Sequence, residues 1–141
     1  MAYATQADLV ARFGEDLLLQ LADRDHDGTL DADVLDAALA DAAALIDGYL
    51  LTRYSLPLPS VPDVLRPIAT AIAFRQLHTE GPPDEVERLY KDALARLDRI
   101  ARGTIVLDVT PEPGAAAQGA GGPVLVEGPE RSFSRTRLKG F

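Results

Sequence analysis

Residues 84–103 read DEVERLYKDALARLDRIARG, and they decide the fold class. Val86, Leu89, Tyr90, Ala93, Leu94, Leu97 and Ile100 recur with a 3.6-residue period, so they share one face of an α-helix. The other face carries acid-first pairs at i,i+4: Asp84–Arg88, Glu87–Lys91, Asp92–Arg96 and Asp98–Arg102. Each such pair adds only about 0.2–0.5 kcal/mol, but their repetition agrees with the apolar period. Pro83 stands at the start and Gly103 at the stop, the usual asymmetry of helix ends. A helix with one apolar side must bury that side against something else.

Upstream, Asp63–Thr79 predicts a second helix with Val64, Leu65, Ile68, Ile72 and Leu77 inward. Pro67 lies in its first turn or so, where a missing N–H costs little. SLPLPSVP, Ser55–Pro62, cannot be regular structure, because alternate prolines remove donors and fix φ. Before it, residues 32–54 predict a long helix through Val34, Leu35, Ala38, Leu39, Ala42, Leu45, Ile46, Tyr49 and Leu50. Asp33, Asp36, Ala40, Ala44 and Asp47 mark the opposite face of that helix. Near the N-terminus, Thr5 opens TQAD, a capping box with Asp8 in place of the usual Glu. Leu9, Val10 and Phe13 follow, Gly14 suits a helix end, and EDLLLQLA from Glu15 gives another short helix. Residues 1–103 therefore read as an all-α body, a small bundle of three main helices and two short N-terminal ones.

Beyond Gly103 the pattern changes. Thr104–Val109, TIVLDV, is β-branched and predicts a short strand. Residues 110–123, TPEPGAAAQGAGGP, contain 11 Gly, Pro or Ala among 14 and read as a linker. Val124–Glu127 is a second candidate strand, and GPERSFSRTRLKGF follows. The expected organisation is a helical body over 1–103 and an extended C-terminal arm over 104–141, with short β segments allowed in the arm.

The chain has 141 residues, 14 Lys and Arg against 22 Asp and Glu, and a formal charge of −8. That length suits one domain with an appended arm. With no Cys, disulfides, thiolate metal sites and a cysteine nucleophile are excluded. No apolar run approaches the roughly 20 residues of a membrane span, and MAYATQADL carries no basic segment or apolar core of a secretion signal. The acidic balance argues against sequence-reading of DNA. The charge is also uneven. Residues 1–54 hold 11 acids and three bases, whereas Arg131, Arg135, Arg137 and Lys139 crowd the last 11 residues without an acid. An acidic body with a basic tip points to docking.

Asp23-Arg24-Asp25-His26-Asp27-Gly28-Thr29-Leu30-Asp31 matches the opening of a calcium loop. Asp23, Asp25, Asp27 and Asp31 stand at positions 1, 3, 5 and 9, with Gly28 at 6. Calcium takes six to eight oxygens, and the bidentate Glu expected at position 12 is Val34. The competing reading is a polar turn in which Asp31 caps the long helix. His26 and His78 have no nucleophile or acid partner nearby in sequence, and GxGxxG, P-loop and HExxH patterns are absent. No enzyme is expected, and no cofactor apart from that calcium. The segment SFSRTRLKGF spaces Phe133, Leu138 and Phe141 among cations, which fits capture by a groove or sheet edge of a partner. The alternatives are a terminus without a partner, or pairing of 124–127 with 104–109 in a hairpin.

YATQADLVARFGEDLLLQLADRD, ALADAAALIDGYLLTRYSLPL, VPDVLRPIATAIAFRQL and VERLYKDALARLDRIARG, in that order, resemble the Mu-like phage and prophage proteins assigned to head–tail joining. The closing FSRTRLKGF is similar to the terminal motif of that family, whereas the Ala/Gly linker is peculiar to this chain. The resemblance implies an α-helical head-completion adaptor in the neck of the virion, made in the bacterial cytoplasm. It implies a homo-oligomeric ring, commonly of twelve copies, beneath the portal protein. The ring continues the DNA channel and carries the next neck or tail component. It also implies that Arg131, Phe133, Arg135, Arg137, Leu138, Lys139 and Phe141 dock on the portal, with 110–123 as tether. In such a ring, the acidic face of 32–54 and the face bearing Arg88, Arg96 and Arg99 are candidates to meet across subunits. Alternatively, the acidic face lines the channel and repels DNA.

Overall fold

The computed structural model describes residues 1–109 and shows five α-helices and no strand among them. They are α1 (Gln6–Phe13), α2 (Glu15–Ala22), α3 (Ala32–Leu50), α4 (Leu65–Leu77) and α5 (Asp84–Ala101). The small all-α bundle expected from periodicity is the observed class. Residues 110–123, 124–127 and 131–141 lie outside the described residues.

Local chemistry sets most of the ends. Thr5 is extended and forms the capping box. The Asp8 N–H donates to its hydroxyl at 3.3 Å, and the Thr5 N–H donates to the Asp8 carboxylate at 2.8 Å. The Thr5 N–H first, and then the Thr5 hydroxyl, which also reaches the Asp8 carboxylate at 2.8 Å, hold the Asp8 carboxyl below the usual range. Gly14, at φ 85°, ends α1 and begins α2, a conformation that an L side chain rarely adopts. At the other end of the chain, Gly103 follows α5 at φ 78°, and its N–H bonds to the Ile100 carbonyl at 3.0 Å.

The helix α4 is the centre of the bundle, packed against α3, α5 and α1. Leu65, Ile68, Ala69, Thr70, Ala71, Ile72, Ala73, Phe74 and Leu77 are all buried. This corrects the one-sided helix expected over 63–79. Val64 is exposed, and Phe74 and Thr70, absent from the expected inward set, are in the core. Ala69, Ala71 and Ala73 keep the helix slim on several sides, which lets three neighbours approach. Phe13 of α1 stacks on Phe74 with centroids 3.8 Å apart, and His78 meets Phe74 edge-on at 4.8 Å. Buried Thr70 is satisfied, since its hydroxyl donates to the Arg66 or Pro67 carbonyl and accepts from Arg12 at 2.7 Å.

The helix α3 buries Leu35, Ala38, Ala42, Ala43, Ile46 and Leu50. It stops at Leu50 rather than running to Tyr54: the Arg53 N–H makes a tighter i→i−3 bond to the Leu50 carbonyl, which the Tyr54 N–H also reaches. That turn buries Tyr54 and points its hydroxyl at the segment beyond α5. There the Leu107 N–H donates to Tyr54 Oη at 3.0 Å. Thr104–Val109 is therefore not the expected strand. Leu107 is buried and Ile105 and Val109 half-buried, while Val106 and Asp108 face out. The alternation of an extended segment is present, but the segment packs on the helices and on no neighbouring strand.

Only one of the four expected pairs on α5 closes, Asp98–Arg102 at 3.1 Å. Glu87 is taken by Arg75 of α4 at 2.5 Å, so a long-range cation outcompetes the local Lys91.

Candidate functional site

Polar side chains gather in the loop between α2 and α3 and along the outer side of α3. In the loop, Asp23, Asp25 and Asp27 bring one carboxylate oxygen each within 4.8 Å of one another. Each of the three carboxylates accepts at least one bond from within the loop. Asp23 takes the N–H of Asp27 at 3.1 Å and that of Gly28 at 3.0 Å. Asp27 takes the N–H and hydroxyl of Thr29 at 2.8 and 2.6 Å. These bonds bend the chain through His26 at φ 61° and Gly28 at φ 81°.

Desolvation raises the Asp23 carboxyl, but the N–H groups of Gly28 and Asp27 outweigh it, and the group lies below its usual range. Asp25 differs. The Asp27 N–H lowers it, while desolvation and the like charges of Asp27 and Asp31 prevail and leave it raised.

Asp31 is not brought into the cluster of three. Its carboxylate accepts the Arg24 N–H at 2.9 Å. It stands at the N-cap of α3, but its side chain makes no capping bond, so that expectation is not met either. Val34, at the place of the twelfth ligand, is half-buried against the core. The loop thus gathers three carboxylates, and the protein's own N–H groups account for its shape.

On the outer side of α3 the chain's first seven residues lie alongside the helix. Tyr3 is buried and donates its hydroxyl to Asp47, whose carboxylate is also 3.6 Å from the terminal ammonium. Burial first, and then the bond and charge of Asp47, push the Tyr3 phenol up. Gln6 donates to Asp36 at 2.8 Å. Between these two ties runs an open groove of about 760 Å³, with Leu39, Ala40, Ala43 and Ala44 among its walls and Asp36 and Asp47 toward its ends. Periodicity marked Asp36, Ala40, Ala44 and Asp47 as an outer face. It did not reveal the groove, because the second wall comes from residues 1–7, far away in sequence. The one available signal was Tyr3, an aromatic just ahead of a capping box.

Arg12 and His78, by contrast, have structural partners. Arg12 donates to the Pro67 carbonyl at 2.5 Å and to Thr70, joining α1 to α4. Partial burial, and then the nearby Arg96, lower its pKa. His78 Nδ1 donates to the Phe74 carbonyl at 2.9 Å as α4 ends. The basic segment residues Arg131, Phe133, Arg135, Arg137, Leu138, Lys139 and Phe141 lie outside the described residues.

Fold and surface together define a small all-α protein whose described polar clusters are loops, ties and open faces. None of its described helices is long and apolar enough to cross a membrane. The family model described as "Bacteriophage Mu, Gp36" matches residues 3–125, and the chain belongs to this family. It is 34% identical over 147 aligned positions to "Gene product J" of Escherichia phage Mu, covering 100% of this chain and 99% of that protein. It is 31% identical over 139 positions to "Mu-like prophage FluMu protein gp36" of Haemophilus influenzae, covering 99% and 97% respectively. The Mu-like phage resemblance read from the sequence is thereby established.

Proposed function

We propose that this phage-family protein is a structural head–tail connector, with no catalytic role and no cofactor. In this reading it forms a homo-oligomeric ring, a dodecamer, under the portal protein in the neck of the virion. The ring continues the DNA channel and offers a platform to the next neck or tail component. Arg131, Phe133, Arg135, Arg137, Leu138, Lys139 and Phe141 dock on the portal, with 110–123 as tether. Assembly takes place in the host cytoplasm, without a membrane.

The observation that supports this reading best is kinship with Mu-type phage proteins along the whole chain, joined to a closing segment similar to that of head–tail joining proteins. The acidic body adds support, since 11 acids against three bases in residues 1–54 suit a wall along which DNA passes without sticking. Many identical arms on one ring would add their weak affinities.

Deleting Arg131–Phe141 tests it. The helical signal of the body in circular dichroism is expected to persist while heads fail to join tails. Normal maturation of particles carrying the deletion would refute the docking role. The second reading, a calcium-binding interaction module, is favoured only by the meeting of Asp23, Asp25 and Asp27. Calorimetric titration with calcium separates the two readings.

A further inference from the structure

The groove beside α3 is concave, largely apolar and open. We propose that it receives the outer face of α5 from a second copy of this chain, a contact that rests on the ring reading for its biological setting but not for its geometry.

The two surfaces match in spacing and in charge. Along α3 the groove presents Asp36, Ala40 and Asp47, at i, i+4 and i+11, with the buried Ala43 at i+7 beneath them. Along α5 the same spacing gives Arg88, Asp92, Ala95 and Arg99, all exposed. Eleven residues are close to three full turns, so each set lies along one line of its helix. The terminal members stand about 16 Å apart on both helices. An acid-ended line with alanines between thus faces a base-ended line with Ala95 inside it. Small residues at the middle let two helices approach to about 8 Å.

Three of the four end groups, Asp36, Arg88 and Arg99, have no ionic partner among the described residues. Asp36 accepts only from the neutral Gln6 and from no cation, and Arg88, Arg96 and Arg99 form no ion pair among the described residues. Asp47 already has the terminal ammonium at 3.6 Å, which leaves Asp36 as the stronger attractor.

Position completes the case. Ala40 and Ala44 stand roughly 160° round α3 from the buried Ala38 and Ala42. The groove therefore opens away from α4 and α5, and the outer face of α5 points away from α3 and α4, which it packs against. One copy thus carries the receptor and the ridge on different sides of the bundle. Such a contact is heterologous: it repeats from copy to copy and closes into a ring when the rotation allows.

The chain has no cysteine, which makes cross-linking a clean test. Ala40 and Ala95 are both exposed, so Cys is tolerated at each. Full-length chain carrying Ala40→Cys and Ala95→Cys together, treated with oxidised glutathione, is expected to give a disulfide ladder of dimers, trimers and longer chains. The pair Ala37→Cys with Ala95→Cys, which moves the first thiol out of the groove, is expected to give no ladder. Adding Arg88→Glu and Arg99→Glu to the first pair should reduce the ladder at least tenfold. Equal ladders from both cysteine pairs would overturn the proposal, as would indifference to the two Glu substitutions. If Ala40→Cys links to Phe141→Cys instead, the groove takes the C-terminal segment and the proposal fails. Normal particles from the Arg88→Glu, Arg99→Glu chain would refute the ring setting and leave a ladder in purified protein standing as support for the contact.

Discussion

The helices α4 and α5 have opposite relations to solvent, and the contrast explains how this small bundle holds together. Nine of the 13 residues of α4 are buried, and its polar residues outside the core, Arg66, Arg75 and Gln76, are confined to its two ends. Only Val86, Ala93, Leu97 and Ile100 are fully buried among the 18 residues of α5, whose charges stay outside. The first helix is a central post touched by α1, α3 and α5, whereas the second is a lid with a wet back. Stability is concentrated in the post. Of these two helices, the lid is the one whose charged face is open to other molecules.

Substitutions can break or sharpen that contrast. The largest effect is expected from Ile72→Ala, since Ile72 has no exposure at the middle of α4. Loss of its buried methyls should cost about 2–5 kcal/mol in denaturant unfolding. A cost under about 1 kcal/mol would show that α4 is not the post. A smaller effect should come from Gly103→Ala at the end of the lid. The positive φ costs an L residue about 1–2 kcal/mol, and the new Cβ would also press on the Arg53 guanidinium. Smallest is Asp98→Asn on the exposed side of α5, where opening the bond to Arg102 should change stability by only about 0.2–0.5 kcal/mol. A larger loss would mean that the charged back of α5 does more for folding than the contrast allows.

The same contrast governs how much of each helix is legible in the sequence. On α5 the 3.6-residue period is clean because one side faces water, and its capping glycine sits at the expected end. The Thr5–Asp8 box is equally legible, being complete within four residues. The central helix hides itself. A helix whose middle, 68–74, is buried all round leaves no stripe there, and alanines at 69, 71 and 73 look neutral until their neighbours are known. Long-range partners account for the other departures. Arg75 draws Glu87 from Lys91, Tyr54 holds Leu107 where a strand was expected, and Arg24 claims Asp31 from its capping role. The acidic loop was legible as a gathering of carboxylates, and three of the four meet. The groove was not, because its far wall is the N-terminal segment.

The attachment of Leu107 has a mechanical consequence. Its buried side chain and its N–H bond to Tyr54 fasten the outgoing chain to the turn after α3, while Thr104 and Ile105 both bond back to the Arg99 carbonyl. Tension applied beyond Val109 would first load this fastening in shear, across the body of the bundle. The last turn of α5 would be spared the peeling force that unzips a helix from its end, much as a rope made fast to a cleat spares the knot behind it.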